Sequence, residues 1–137
     1  MSLKVVQAEL LKTLDDQLAA FVSDGYQWGL YKNNWTPANG DTISAVTPCD
    51  FSGYAGLQNM AAWNAATWVS PRAEADAADV VWTHNGGGTS NDVYGYYVVD
   101  GSGNLAWAER NSAAPVTISG AGQTYTVKPK YTRRAEF

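Results

Sequence analysis

The apolar pattern of this chain changes period once, at Gly25, and that change sets the architecture. Before it, Leu3, Val6, Leu10, Leu14, Leu18 and Phe21 recur every three or four residues and form one stripe of a helix over residues 3–22. Ser2 is placed to cap the start, and Ser23-Asp24-Gly25 to stop it. Lys4, Gln7, Lys12, Asp15 and Asp16 take the other side, so the stripe needs a surface to cover, most simply a sheet of the same domain. After Gly25 the period is two and the segments are short. Tyr26–Lys32, Val80–Thr83, Val93–Val99, Leu105–Glu109, Val116–Ile118 and Gln123–Lys128 read as strands, and Thr42–Val46 as a short extended piece. Turn-forming runs separate them at 33–41, 84–90, 100–104 and 120–122. Gly53 and Gly56 mark a bend within Phe51–Leu57. Residues 58–79 fit neither period. There Met60–Trp63 and Ala65–Val69 read as a short helix or irregular strand, and Arg72–Asp79 as a surface loop. The sum is a mainly β fold with one N-terminal α-helix, either an antiparallel β-sandwich or a small β-barrel.

A length of 137 residues suits one domain, 1–137, made of the helix at 3–22, a β domain at 26–128 and a basic C-terminal tail at 129–137. Six Trp, eight Tyr and three Phe are too many rings for one small core, which places some at the surface as contact residues. Trp35, Tyr54, Trp63 and Trp68 lie in turn-rich segments and are the candidate anchors for a protein partner. The net charge of −4 is uneven, with Lys128, Lys130, Arg133 and Arg134 gathered at the C-terminus. An acidic body argues against nucleic-acid binding, whereas the basic end suits an acidic neighbouring subunit. Cys49 is the single cysteine, so no internal disulfide forms. Charges interrupt residues 3–22, which does not fit a secretory signal, and no apolar run is long enough for a membrane span. These features lead to the expectation of a soluble protein made in a bacterial cytoplasm.

The chemistry-bearing residues are sparse. Cys49 and His84 would have to meet in space to act as nucleophile and base, and their surroundings match no protease motif. One His and one Cys give no transition-metal spacing. The Asp100–Asn104 turn is dense in oxygen ligands for calcium, but polar hairpin loops of that composition are far more common. Gly86-Gly87-Gly88 lacks the Gly-Lys-Ser/Thr that completes a phosphate loop. Asp50, Asp92, Asp100 and Glu109 are the acids from which a glycosidase pair would have to come, and spacing in sequence does not bring any two together. Trp35 or Trp63 could stack on a sugar ring without catalysis. The expectation is a protein with no catalytic residue, no cofactor and no metal.

Five blocks then occur in order: Leu30–Pro37 (LYKNNWTP), Asp50–Ala55 (DFSGYA), Val93–Asp100 (VYGYYVVD), Leu105–Arg110 (LAWAER) and Ala114–Val116 (APV). The series resembles a family of small proteins from tailed bacteriophages and prophages, encoded among virion morphogenesis genes. The resemblance covers most of residues 3–128 and departs around 58–79, where this chain is richer in Ala and Trp. It implies a virion structural protein, most naturally a capsid decoration or cement protein on the major capsid shell. A homo-oligomer, with a trimer favoured, would multiply weak contacts there. A tail or fibre-associated component that binds host surface carbohydrate or protein is the alternative. The family brings no catalytic residues.

Overall fold

The computed structural model describes residues 6–134. Leu10, Leu14 and Leu18 are buried along one stripe of helix α1 (Gln7–Ser23), as their spacing requires. Its first turn has no side-chain cap, and the predicted cap Ser2 and first apolar residue Leu3 lie outside the described residues. Gly25 takes φ 79°, a left-handed conformation that lets the chain leave the helix and enter the sheets.

The strands follow as β1 (Gln27–Tyr31), β2 (Gln58–Asn59), β3 (Thr67–Val69), β4 (Arg72–Asp76), β5 (Val80–Thr83) and β6 (Asn91–Val93). After these come β7 (Gly95–Val99), β8 (Leu105–Arg110), β9 (Val116–Ile118), β10 (Thr124–Val127) and β11 (Lys130–Arg134). They pair as a four-stranded sheet β2-β1-β7-β8, a three-stranded sheet β11-β4-β3, and the two-stranded pairs β10-β5 and β6-β9. Every pairing is antiparallel, and none of the sheets closes on itself among the described residues. Of the two predicted architectures, the fold is sandwich-like and not a closed barrel.

One face of the large sheet, with Trp28, Leu30 and Val98, packs on Trp82, Val93, Ile118, Tyr125 and Val127 from the two-stranded pairs. The opposite face buries Tyr31, Tyr97 and Val99 beneath Trp35, Leu105 and neighbours. On this face the β1–β7 register sets Gly29 across from Tyr97 and Tyr31 across from Gly95. Each tyrosine lies over the opposing glycine. A Cβ at Gly29 would come 2.6 Å from Tyr97 Cζ, and one at Gly95 would come 2.7 Å from Tyr31 Oη. Gly29 in the middle of β1 and Gly95 at the start of β7 therefore leave room for an aromatic ring, and at Gly95 the Glu109 carbonyl lies nearer still to where a Cβ would stand. A third cluster seats Leu10, Leu14 and Leu18 of α1 on Ala73 and Ala75 of β4.

Rings join two of the clusters. Trp107 lies 5.4 Å from Phe21, 6.1 Å from Trp28 and 5.6 Å from Tyr131, centroid to centroid. No described Trp, Tyr or Phe is fully exposed, but Trp35, Trp63, Trp68 and Trp107 are half-buried and reach the surface; the exposed large apolar residues are Val6, Ile43, Leu57, Val69 and Val81. Two clusters joined by rings and a third on the opposite face of the large sheet hold what one core could not.

Four local readings also change. Arg72–Asp76 is not a surface loop but the central strand of its sheet, because Ala73 and Ala75 alternate with charged residues and are small enough to admit α1 closely. Lys130–Arg134 is not a tail; it pairs with β4 along its whole length. Val93–Val99 is two strands, since Tyr94 turns the chain from β9's partner into β1's partner. Within Thr42–Val46, Ile43–Ala45 forms a 3-10 turn. In 58–69 no helix forms, and besides β2 and β3 the single bridge Trp63–Ala77 ties the segment down.

Candidate interaction surface

The two groups with the most intrinsic reactivity are built into the framework. His84, 1% exposed, accepts the Gly86 N–H at Nδ1 (2.9 Å), which leaves Nε2 to donate to the Thr89 carbonyl (3.0 Å). Its ring stacks on Phe51. One imidazole thus holds both ends of the glycine loop, and the buried ring is satisfied by backbone alone. Cys49 is buried, and desolvation pushes its thiol up to about 12, away from the thiolate that nucleophilic chemistry needs. No hydrogen bond joins the two side chains.

The four candidate acids are dispersed in their engagements. Asp50 accepts from Lys32 Nζ and Asn91 Nδ2, each at 2.9 Å, and these bonds, Lys32 first, hold its carboxyl below the usual range. Asp92 accepts from Thr117 Oγ1 at 2.7 Å. Asp100 caps its own turn through the Ser102 and Asn104 N–H groups, which lowers its pKa. Glu109 accepts from Tyr96 Oη at 3.3 Å and borders a cleft. Among the described residues, no three His, Cys, Asp or Glu side chains are grouped to hold a metal ion.

A predominantly apolar groove of about 460 Å³ lies between α1 and the segment after β2. Leu18, Ala19 and Val22 form one wall, and Ala62, Trp63 and Ala65 the other. Asp15 Oδ1 accepts the Ala66 N–H at 2.8 Å and ties the two walls together at the backbone. The groove exists because alanines flank a large ring: Ala19, Ala62 and Ala65 are exposed and too short to fill the space beside Trp63. Trp63 is anchored from behind by Trp28 (6.1 Å) and Tyr131 (6.4 Å). Its indole N–H is buried with no acceptor among the described residues.

The other three aromatic candidates are placed differently. Tyr54 turns inward beside Phe51 and Trp82, and its hydroxyl accepts the Leu30 N–H at 3.1 Å. Trp68 joins the helix cluster. Trp35 covers Tyr31 edge-on, and its Nε1 donates to Asp41 at 2.9 Å; it borders a smaller groove with Leu105 and Trp107. The basic residues do not form one patch. Arg133 turns to α1, where Nη1 donates to Gln17 Oε1 at 2.9 Å. Lys128 and Lys130 pair with Asp79 and Glu74 and border the cleft that contains Glu109. Arg134 is exposed opposite Arg72 at the end of the β4–β11 register.

Sequence reasoning picked out Trp63 but missed the alanines and the helix face that make it a groove. The run Ala61-Ala62-Trp63-Asn64-Ala65-Ala66, small residues around one large ring, is the signal that was present. No protein-family model, curated protein or solved structure matches this chain.

Proposed function

We propose that this chain is a bacteriophage virion structural protein that decorates the assembled capsid shell through non-covalent contact. The observation that carries the reading is the α1–Trp63 groove. It is an open, alanine-walled apolar cavity with a ring fixed rigidly from behind, the form in which an interface takes up an aliphatic or aromatic side chain of its partner. The virion context rests on the resemblance of the ordered blocks from Leu30–Pro37 to Ala114–Val116 to small tailed-phage proteins. The occupant is an apolar side chain of the major capsid protein, and copies of this chain around a local threefold would share the load.

The test is to locate the chain in purified particles by mass spectrometry of separated heads and tails, and then to add back an Ala19→Arg variant. Ala19 is exposed, so the substitution should change folding stability by less than about 0.5 kcal/mol. The expected result is the chain on heads, with occupancy sharply reduced for Ala19→Arg. Absence from particles, or undiminished attachment of the variant, overturns the proposal.

A further inference from the structure

A second concavity differs from the groove in chemistry. It is a cleft of about 440 Å³ bordered by Tyr96, Glu109, Asn111, Tyr125, Lys128 and Lys130, with serine and threonine hydroxyls between them. Its size lies within the range of small-molecule sites. Asn111 Nδ2 donates to Tyr125 Oη at 2.8 Å, which fixes the phenol and leaves its own hydrogen for an acceptor in the cleft. Tyr125 is only 7% exposed, so its ring is held by the core while its hydroxyl is positioned by Asn111 at the cleft. Glu109 receives one long bond from Tyr96, 3.3 Å, through Oε2, and no cation pairs with it among the described residues. Its other oxygen remains an acceptor. The lysines at the rim are drawn outward, to Asp79 (3.2 Å) and Glu74 (3.5 Å), and keep further donors.

An acceptor-only carboxylate beside a fixed hydroxyl donor, with ammonium groups at the rim, suits a ligand whose own groups both donate and accept. We propose that this cleft binds an acidic saccharide, with adjacent sugar hydroxyls on Glu109 and Tyr125 and the sugar's carboxylate towards Lys128 and Lys130. A simple anion is a poor fit because Glu109 repels it from the interior. Among the described residues Glu109 is the single carboxylate of the cleft lining, so the paired carboxyl groups of the common glycosidase arrangement are not assembled there and the proposal is one of binding. The site uses none of the groove residues, so it stands or falls separately from shell attachment.

Amide chemical shifts of the full chain, followed during titration with a uronic-acid disaccharide, test the assignment. Maltose and inorganic phosphate serve as the neutral and anionic probes. The expected outcome is saturable shifts at Glu109, Asn111 and Thr126 at about millimolar disaccharide, with weaker binding of maltose. Glu109→Gln, an exposed change, should keep the thermal midpoint and weaken the disaccharide by about tenfold. Lys128→Ala should weaken the acidic sugar and leave maltose unchanged. Absence of shifts with any sugar, phosphate binding as tightly as the disaccharide, or Glu109→Gln binding at full affinity would each overturn the proposal.

Discussion

At the scale of single residues, the groups with reactive potential have been turned to structural use. His84 spends both ring nitrogens on the backbone of the loop that follows it. Cys49 lies 4% exposed in the main cluster, beside Leu30 whose carbonyl its N–H reaches. Because burial raises the Cys49 thiol to about 12, almost no thiolate exists at pH 8. The native protein should therefore resist an aromatic disulfide reagent at that pH and react fully once unfolded in guanidinium. Rapid labelling of the native state would show that the site opens to solvent. The lone cysteine and histidine were visible at once in the sequence. The sequence also reads Cys49 as a small buried hydrophobe, and it is buried; the enclosure of His84 is not legible there, because it depends on Phe51 and on β10, both distant in sequence.

The decisive element is β11. Composition marks its lysine and arginines as a solvated tail, yet Tyr131 in their midst meets Phe21, Trp63 and Trp107. Alternation explains the difference: Lys130, Thr132 and Arg134 are exposed, while Tyr131 and Arg133 are half-buried. Tyr131→Ala should cost about 2–4 kcal/mol in urea unfolding, as for loss of a packed ring, whereas Arg134→Ala should cost less than about 0.5 kcal/mol. Equal and negligible effects would return the segment to the status of a tail. The same alternation was present in Arg72–Asp76, hidden by alanine's weak preference for strands. By contrast, β5 and β9 were legible to the residue, since β-branched and aromatic residues bounded by turn signals specify a strand locally.

For the molecule as a whole, stability should hold between two titration limits. Asp50, Glu74 and Asp100 all have carboxyl groups held below the ordinary range: Lys32 acts on the first, Arg72 and then Lys130 on the second, and turn N–H groups on the third. A lowered folded pKa gives stability that is present above the unfolded value near 4 and lost as pH falls through the folded one. Burial raises the Tyr31 and Tyr96 phenols to about 12, so their contribution is present below about 10 and lost as pH rises through 12. The melting temperature should form a plateau from about pH 5 to 9 with a fall on each side, and Glu74→Gln should flatten the acid limb. An acid limb unchanged by that variant would remove the Arg72–Glu74–Lys130 group from the account. Periodicity alone determined the helix, the β class, the turns and most strands, because those depend on neighbours within a few residues. Only the tertiary structure decided that the rings would divide among three clusters, that Arg72–Asp76 and Lys130–Arg134 would pair, and that alanines beside Trp63 would leave a groove. Those outcomes depend on which distant surfaces meet, and α1 reaches β4 only after the chain has passed through more than forty residues of sheet and turn.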